Sequence, residues 1–590
     1  SGSGAMEDYE YGNEFPWMDY RNSIQTIVIG DQITQIGRNA FPWTACSTIQ
    51  FGKSVRSIGA EAFSGCRNLN GDLTLPDSVQ IVGNDAFSEC TGLTGTLTLG
   101  SSLQTIGAGA FYDCSFSGNL VIPDSVTSIG RYAFYSRPYL RPETQGTLTL
   151  GRNLRTIGES AFCESTYTGS LTIPDSVVEI GERAFYQCEN LNGTLTLGRS
   201  LRTIGKEAFY WCAFTGSLTI PEGVAEIADG AFSSLHQFNR DGMFNGTLTL
   251  PSTLKTIGAE AFAYTDFSGE LLIPDGVTSI GANAFKECDG FGGLLSLPDS
   301  VKTVGEWAFY LCKGFTGLKL SAGLTKIEKL SFAHMYGLKT EVVIPEGVTE
   351  IGESAFQCSH MPSVRFPSTL KKIGKEAFYF SLNCKIAFPD GLEVIEDEAF
   401  ALCNVKSAVI LPASIKSIGK KAFDSDWSYG KHNDIPLGAY FLGAAPQLVG
   451  TGNANCSFPS DWTLNYLPGT SGWMGDTYEG YKIVPWDGET RWDNLYTDDF
   501  GYRDNKWNKI ETSWSVNMDT GKITLTDDLN EGCVVAVSYD AEGRVTSIGV
   551  LRTKKDFVIL NLQDTCRLFL LNASSAPRLN APVTINYYIP

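Results

Sequence analysis

Apolar and polar positions follow one recurring pattern along most of the chain. A run such as Leu73-Thr74-Leu75 ends in proline or glycine, and this alternation predicts a short strand with one buried face. A second extended stretch of the form S-V-x-x-I follows, as in Ser125 to Ile129. The next segment, I-G-x-x-A-F-x-x-C, places apolar residues at offsets 0, 4, 5 and 8, which share one helix face. It predicts about two turns of α-helix or 3₁₀ helix.

The phenylalanine of this segment recurs 17 times and accounts for half of the chain's 34 phenylalanines. The copies are spaced by 22–24 residues, except for two spacings of 28 and 30 residues. A period in the twenties is typical of leucine-rich solenoids, in which stacked coils share one continuous core. The pattern therefore predicts a repeat solenoid of 17 coils. Its predicted structural core includes Phe63, Phe87, Phe111, Cys66, Cys90 and Cys114.

A longer period is superimposed on the repeat. Coils with L-T-L-G, as at Leu97 to Gly100, alternate with coils containing I-P-D, as at Ile122 to Asp124. We call these type-a and type-b coils. The alternation indicates that the array grew by duplication of a two-coil unit of about 47 residues.

The strings I-P-D-x-V…I-G-x-x-A-F at 122–137, 173–188 and 273–288, of which the last two ranges end in cysteine, resemble the BspA-like leucine-rich repeat family. The resemblance covers about residues 24–423. It implies a right-handed solenoid in which short parallel strands line one face. It also implies a secreted or surface-attached microbial protein that is used in adhesion, and hence an extracellular or cell-surface location. A signal peptide and an anchor are both expected to lie outside the given sequence.

The segments outside the repeats have different compositions. Residues 7–23 are acidic and aromatic, which indicates a cap over the first coil. From residue 520 the period becomes two, which predicts a small antiparallel β-sandwich-like domain. The predicted organisation is a cloning remnant at 1–6, an N-terminal cap at 7–23, the solenoid at 24–423, a C-terminal cap at 424–486, a linker at 487–519 and the β domain at 520–590.

Eight of the 15 cysteines lie three residues after the repeat phenylalanine. Equal repeat positions place them in the same core stripe, where a reduced thiol behaves as a small hydrophobic group. We therefore expect buried free thiols there. The chain contains no C-x-x-C motif, which argues against zinc and redox motifs. A disulfide between Cys533 and Cys566 remains open.

Charge and motif content restrict the possible functions. The net charge of -20 argues against nucleic-acid binding, and the chain has no apolar run of the roughly 18 residues needed for membrane insertion. Four histidines and the absence of nucleophile-elbow, P-loop, H-E-x-x-H and EF-hand motifs argue against an enzyme. We expect no catalytic residue, no metal and no cofactor.

Three surfaces are candidates for ligand binding. Both long spacings contain insertions, and extra length in a repeat forms a loop on one edge, although neutral loop variation remains open. Aromatic residues just after the repeat phenylalanine provide possible anchors. The outward strand position is threonine in the first coils and varied later, which favours recognition by the later coils. The candidate residues are Tyr139, His236, Phe238, Phe244, Trp211, Tyr310, Lys319 and Arg365.

These features predict a non-enzymatic, adhesin-like binding protein, expected to be monomeric, whose solenoid recognises an extracellular or host-surface protein. Two alternatives remain. Seven of the 11 tryptophans lie between Trp427 and Trp514, so the chain has a possible glycan-stacking platform at Trp462, Trp473 and Trp486. Compact packing in a small domain explains the same cluster. The second alternative is a structural spacer of the cell envelope, in which neither surface binds a ligand.

Overall fold

The computed structural model describes residues 3–10, 16–137, 146–234, 243–382, 386–403, 409–424, 438–449, 457–459 and 462–486, together with the backbone of six strands beyond residue 513. The chain forms a β-solenoid of about 16 turns with parallel strands and little helix. The predicted solenoid is therefore confirmed. Each regular coil contributes two short strands, and each strand aligns with the equivalent strands of neighbouring coils in a row along the solenoid.

The second strands of the coils form a long parallel row with isoleucine or valine inside. In this row Ile58 pairs with Val82, and Val82 pairs with Ile106. The row has three blocks: Gly4–Ala5, Ile33–Ile36, Ser57–Ile58, Ile81–Val82, Thr105–Ile106, Ser128–Ile129, Thr156–Ile157, Glu179–Ile180 and Thr203–Ile204; Glu226–Ile227, Thr256–Ile257, Ser279–Ile280 and Thr303–Val304; and Lys326–Ile327, Glu350–Ile351, Lys372–Ile373, Val394–Ile395, Ser417–Ile418 and Gln447–Leu448.

The breaks between blocks coincide with loss of the glycine that follows the isoleucine. A Cβ at Gly205 would lie 2.4 Å from the Glu182 nitrogen, so coils approach too closely for a side chain there. The second and third blocks begin where Ala228 and Glu328 replace this glycine. At a third such position, Glu396 still donates its amide to the Ile373 carbonyl, at 2.9 Å. A side chain is thus tolerated at Glu396, and likewise at Val449, whose amide donates to the Ile418 carbonyl at 2.9 Å, whereas the pairing is interrupted at Ala228 and Glu328.

The first strands form a second row that pairs mostly in twos. Leu73 pairs with Leu97, and Leu120 pairs with Leu148, so each type-b strand bonds to the type-a strand that follows it. The strands are Thr26–Val28, Thr48–Gln50, Leu73–Thr74, Leu97–Thr98, Leu120–Val121, Leu148–Thr149, Leu171–Thr172, Leu195–Thr196, Leu218–Thr219, Leu248–Thr249, Gly269–Leu272, Phe291–Ser296, Phe315–Lys319, Val342–Val343, Val364–Arg365 and Val409–Leu411.

Contacts after these strands give the two-coil period a physical basis. In the type-b coil, Asp77 accepts a hydrogen bond from the Ser101 amide of the next coil at 2.8 Å. In the type-a coil, a Cβ at Gly100 would lie 2.1 Å from the Pro76 carbonyl oxygen, so this glycine is needed for the close approach. At Gly100, Gly151 and Gly198 the proline carbonyl of the preceding coil thus excludes a side chain, whereas in the later coils Pro298 follows Pro274-Asp275.

These carboxylates make the fold sensitive to acid. Amide donation by Ser101 lowers the pKa of Asp77, and amide donation by Arg199 lowers the pKa of Asp175. In the unfolded chain an aspartate has a pKa of about 3.9, and in the fold the pKa of these carboxyls is lower. The carboxyls therefore stabilise the fold at pH values above about 3.9, and this stabilisation is lost as the pH falls through the native pKa. We expect a thermal midpoint that is steady from about pH 7 to 5 and falls between about pH 4 and 3. Circular dichroism melts of the chain and of Asp77→Asn test this, because asparagine keeps the acceptor and removes one titrating group.

The segment that was predicted as helix is a series of turns. Within one coil, Cys66 donates its amide to the Phe63 carbonyl at 3.3 Å, whereas Phe63 donates to Ala86 of the next coil at 2.8 Å. Successive amides alternate in this way between their own coil and the next, which is incompatible with the i→i−4 bonds of an α-helix. Residues such as Glu61, with φ 55°, and Glu89, with φ 58°, are left-handed. Among the described residues, the one helix is the 3₁₀ turn Met18–Tyr20.

The repeat phenylalanines form an unbroken ladder through the core. Phe63 and Phe87 are 0 % exposed and stack with ring centroids 5.2 Å apart. The ladder passes both insertions, since Phe134 stacks on Phe162 at 5.1 Å and Phe232 on Phe262 at 5.6 Å. The stacking distance at both insertions is therefore the same as in the regular coils. Phe111 and Phe134 continue the ladder at 5.3 Å.

The core thiols have a specific structural role. Cys90 donates to the Phe63 carbonyl at 3.2 Å, and Cys114 donates to the Phe87 carbonyl at 3.2 Å. Other coils use serine for this role, as Ser359 does toward Phe332 at 2.7 Å. The eleven cysteines that the structure describes are free thiols, and they include Cys66, Cys90 and Cys114, which are 0, 0 and 5 % exposed.

This role predicts different effects of two substitutions at one site. Cys90→Ala removes the donor to the Phe63 carbonyl and leaves a small cavity, so it should lower the free energy of unfolding by about 1–2 kcal/mol. Cys90→Ser keeps a donor and should cost less than the alanine variant. Urea unfolding of both variants measures the difference, and equal losses would show that the hydrogen bond does not contribute.

Aromatic side chains close both ends of the ladder. Trp17 stacks on Phe41 at 5.0 Å, and Phe458 stacks on Phe423 at 5.3 Å. The C-terminal strands are Val409–Leu411, Gly438–Phe441, Thr463–Tyr466, Tyr481–Pro485 and Thr477–Tyr478 in one sheet. Farther on, two antiparallel three-stranded sheets contain Trp514–Asn517, Lys522–Leu525 and Val583–Ile585, and Val545–Arg552, Cys533–Tyr539 and Cys566–Leu571. The exact domain boundaries remain predictions.

Candidate interaction surface

A chain of partly exposed rings crosses six consecutive coils of the solenoid on the turn segments that follow the second strands. These rings extend the exposed aromatic positions predicted from the sequence. We call this surface the aromatic edge and define it by Tyr264, Lys286, Trp307, Tyr310, His334, Tyr336, His360 and Phe380.

Lys286 lies at the centre of the first half of the aromatic edge. Its Nζ is 5.3 Å from the Tyr264 ring, 5.3 Å from the Trp307 ring and 5.9 Å from the Tyr310 ring. Trp307 and Tyr310 are themselves 4.5 Å apart with a tilt of 58°. Three rings around one ammonium group form a cation–π cluster that fixes the position of each member.

The second half of the aromatic edge is built around two histidines. The Tyr310 ring is 5.1 Å from His334, and the Nδ1 of His334 is 2.6 Å from the Tyr336 hydroxyl. Tyr336 lies 5.4 Å from His360, which in turn lies 5.3 Å from Phe380. Burial lowers the pKa of His334 below 6.5, so its ring is neutral at neutral pH. The rings therefore form one continuous apolar and hydrogen-bonding surface.

The turn backbone holds these side chains at fixed positions. Tyr264, Trp307, His334 and Phe380 have φ values of 62°, 60°, 60° and 52°, so each is a left-handed residue of the repeat. The Tyr264 amide donates to the Lys286 carbonyl at 2.8 Å, and the Trp307 amide donates to Lys329 at 3.1 Å. Because every turn is bonded to the next coil, the edge is prearranged and needs little ordering on binding.

Both insertions leave the solenoid at the equivalent point of the turn. The first follows Arg137, whose amide bonds to the buried Asp113 at 2.9 Å and whose guanidinium forms an ion pair with it. The second follows Ser234, which is 3 % exposed. The predicted ligand residues Tyr139, His236 and Phe238 lie outside the described residues.

The structure places the remaining solenoid candidates on different surfaces. Tyr310 belongs to the aromatic edge, and Trp211 occupies the same turn position as Tyr264, with φ 57°. Phe244, which was predicted to bind a ligand, is 1 % exposed and packs 5.0 Å from Phe267. This prediction was wrong because Phe244 returns the chain to the core after the insertion and is a core residue.

Lys319 and Arg365 lie apart from the aromatic edge, on the outward face of the first-strand row. Lys319 is exposed and pairs in register with Ser296. Arg365 forms an ion pair with Glu341, with Nη2 and Oε2 2.6 Å apart. This face is therefore a separate polar surface, where one of the two candidate cations is already engaged with a carboxylate.

The three tryptophans of the glycan alternative are packed in the C-terminal cap. Trp462, Trp473 and Trp486 are 5, 8 and 4 % exposed. Trp462 stacks on Phe458 at 5.7 Å, and the indole nitrogen of Trp473 donates to the Gly443 carbonyl at 3.2 Å. Sugars stack on exposed ring faces, so rings this buried do not offer that platform. Compact packing therefore explains the tryptophan cluster better than a glycan-stacking platform does.

The described part of the chain contains no cluster of three or more histidine, cysteine, aspartate or glutamate residues placed to hold a metal ion. Within the same residues, no helix has the length and hydropathy required to span a membrane. The distinctive chemistry of the described solenoid is its chain of exposed rings.

Most members of the aromatic edge were missed by the sequence analysis, which named only Tyr310 among them. The signal appears only when the copies are aligned on the repeat phenylalanine. Aromatic residues then occupy the neighbouring turn positions of consecutive coils, and Lys286 falls between them.

The family profile "BspA type Leucine rich repeat region (6 copies)" matches residues 18–141, 144–240, 241–357 and 302–429. These ranges cover more than half of the chain. The chain belongs to the BspA-type leucine-rich repeat family. Proteins of this repeat class are typically binding or surface proteins and generally lack enzymatic activity. No curated protein matches the sequence of this BspA-type protein.

Solved structures similar to this BspA-type protein come from several bacteria. A leucine-rich repeat protein of Bacteroides ovatus is 23 % identical, over 63 % of this chain and 86 % of the other, with a TM-score of 0.40. A leucine rich cell surface protein of Faecalibacterium prausnitzii is 23 % identical, over 64 % and 80 %, with a TM-score of 0.26. The pneumococcal vaccine antigen PcpA is 14 % identical, over 76 % and 92 %, with a TM-score of 0.24.

Proposed function

We propose that this BspA-type protein is a non-enzymatic, adhesin-like protein of the cell surface whose aromatic edge recognises an extracellular protein partner. The observation that carries the proposal is the continuous ring surface from Tyr264 to Phe380. Tyrosine and tryptophan are enriched among the residues that contribute most to protein–protein affinity. The family membership supports a binding function and a location at the cell surface.

The size of the aromatic edge fits a protein partner. Five steps between coils at about 4.8 Å give a length of about 24 Å. A standard interface takes about 800 Å² from each partner, and a square patch of that area is about 28 Å wide.

Glycan stacking is less well supported at this surface. The ring centroids of Trp307 and Tyr310 are 4.5 Å apart with a tilt of 58°, and Lys286 lies over both. Neighbouring side chains therefore occupy part of each ring face, which leaves less open face for a sugar to stack on. Such a surface suits the mixed apolar and hydrogen-bonding contacts of a protein interface.

The test is a binding screen of the full chain against two arrays, one of extracellular-matrix and mucosal proteins and one of glycans. We expect at least one saturable protein hit that survives high salt, because the edge is largely uncharged and salt screens mainly exposed charges. Binding to glycans alone would contradict the proposal. Binding to neither array would favour the spacer alternative.

A further inference from the structure

Cys46 differs from the thiols of the ladder. It lies five residues after Phe41 and is 0 % exposed. Its sulfur accepts a hydrogen bond from the Thr44 hydroxyl at 3.2 Å. The thiols of Cys90 and Cys114, in contrast, each donate to a phenylalanine carbonyl of the preceding coil. Chemical modification of Cys46 therefore removes no donor from the ladder.

Cys46 lies in contact with a second thiol of the neighbouring coil. The Thr44 hydroxyl is 3.2 Å from the Cys46 sulfur and 3.1 Å from the Cys66 sulfur, so both sulfurs adjoin one oxygen. The neighbouring Cys66 thiol lowers the pKa of Cys46 to about 7, and the pKa of Cys66 is raised. Cys46 therefore has more thiolate at neutral pH than an ordinary thiol.

The Phe41 carbonyl, which accepts the hydrogen bond of Cys66, lies near a second side-chain donor. Cys66 donates to the Phe41 carbonyl at 3.1 Å, and the Thr44 hydroxyl, which otherwise donates to the Cys46 sulfur, lies 3.3 Å from the same oxygen. If Cys66 is oxidised, the Thr44 hydroxyl can turn to this carbonyl and satisfy it. At the next coil, Cys90 is the side-chain donor to the Phe63 carbonyl. Oxidation is thus tolerated better at Cys66 than at Cys90.

The position of the pair also favours reaction. Cys46 and Cys66 belong to the first two coils of the ladder, since Cys46 follows Phe41 and Cys66 follows Phe63. End coils of a solenoid contact a neighbour on one side only, so they open to solvent more readily than central coils. A small oxidant reaches a buried thiol during such openings.

We propose that Cys46 and Cys66 are a redox pair that forms a disulfide between the first coils when the protein meets a small disulfide such as glutathione disulfide. The Cys46 thiolate attacks one sulfur of the oxidant, its S–S bond breaks, and one glutathione leaves as a thiolate that takes up a proton. Cys66, as its thiolate, then attacks the Cys46 sulfur and displaces the second glutathione. Two protein thiols are oxidised to one disulfide, and one glutathione disulfide is reduced to two thiols.

Tryptic mapping of the full chain after exposure to glutathione disulfide tests the proposal. Residues 39–53 and 57–67 are separate tryptic peptides with one cysteine each, Cys46 and Cys66. We expect these peptides to be joined under non-reducing conditions and to separate on reduction. The link should form about tenfold faster at pH 8 than at pH 6, since the reaction follows the thiolate of Cys46 with its pKa of about 7, whereas a thiol with the ordinary pKa of about 8.5 would give a ratio of roughly 75.

Two variants control the experiment. Cys46→Ser should abolish the link, whereas Cys90→Ser should leave its rate unchanged, and both keep a hydroxyl in place of the thiol. Circular dichroism melts confirm that each variant is folded. A link between Cys66 and Cys90, stable glutathione adducts without a link, or no reaction of Cys46 would each overturn the proposal.

Discussion

Phe185→Ala is expected to lower the free energy of unfolding by about 3–5 kcal/mol. Phe185 is 0 % exposed and lies between Phe162 and Phe209, with ring centroids 5.3 Å away on each side. Alanine leaves a cavity in the middle of the ladder that neither neighbour can fill, because each ring is held by its own coil. Urea unfolding monitored by far-ultraviolet circular dichroism measures the loss.

Phe185→Leu is the matched control. Leucine keeps most of the buried volume and should cost less than half as much as alanine. Because each coil contacts only its neighbours, the alanine variant should also broaden the transition as the two halves unfold separately. A loss below about 1 kcal/mol for alanine would mean that the ladder is not a main source of stability.

Gly205→Ala is expected to cost about 2–3 kcal/mol by overpacking. An added Cβ would lie 2.4 Å from the Glu182 nitrogen and 2.5 Å from the Gly181 carbonyl carbon, both backbone atoms of the preceding coil. The two coils must move apart, which breaks the hydrogen bond from the Gly205 amide to the Ile180 carbonyl, now 2.9 Å long. Urea unfolding gives the cost, and hydrogen exchange at residue 205 reports the broken bond.

Gly292 provides the comparison, because a Cβ there would meet nothing closer than the Gly314 oxygen at 3.7 Å. Gly292→Ala should therefore change stability by less than about 0.5 kcal/mol. One coil of the chain already has alanine at the position of Gly205. This residue is Ala228, and the strand row is interrupted there. Equal effects of the two substitutions would show that close approach of the coils is not what requires glycine.

The repeat phenylalanines and alternating strands were predictable because each coil repeats the same burial pattern. The requirement for glycine after the isoleucine was not predictable, because a backbone contact between coils leaves no side-chain pattern in the sequence. The helix prediction failed for a related reason. Offsets that share a helix face also fit a series of turns, and the inter-coil bonds of Phe63 and its equivalents decide between them.

The candidate surface was only partly predictable. Tyr310 and Trp211 were found because exposed aromatic residues follow the repeat phenylalanine. The ring contacts from Lys286 through His334 depend on side chains of different coils, which no single repeat reveals. Burial of the cap tryptophans depends on tertiary packing and cannot be read from their clustering alone.

Affinity for the protein identified in the array screen tests the central claim most directly. The comparison uses the intact chain, an edge variant with Tyr310→Ser and Tyr336→Ser, and a strand-face variant with Lys319→Ala and Arg365→Ala. Melting curves first establish that all three are folded. The account predicts that the edge variant binds at least about tenfold more weakly and that the strand-face variant binds within about threefold of the intact chain. Unchanged binding by the edge variant, with a loss in the strand-face variant, would contradict it and place recognition on the strands.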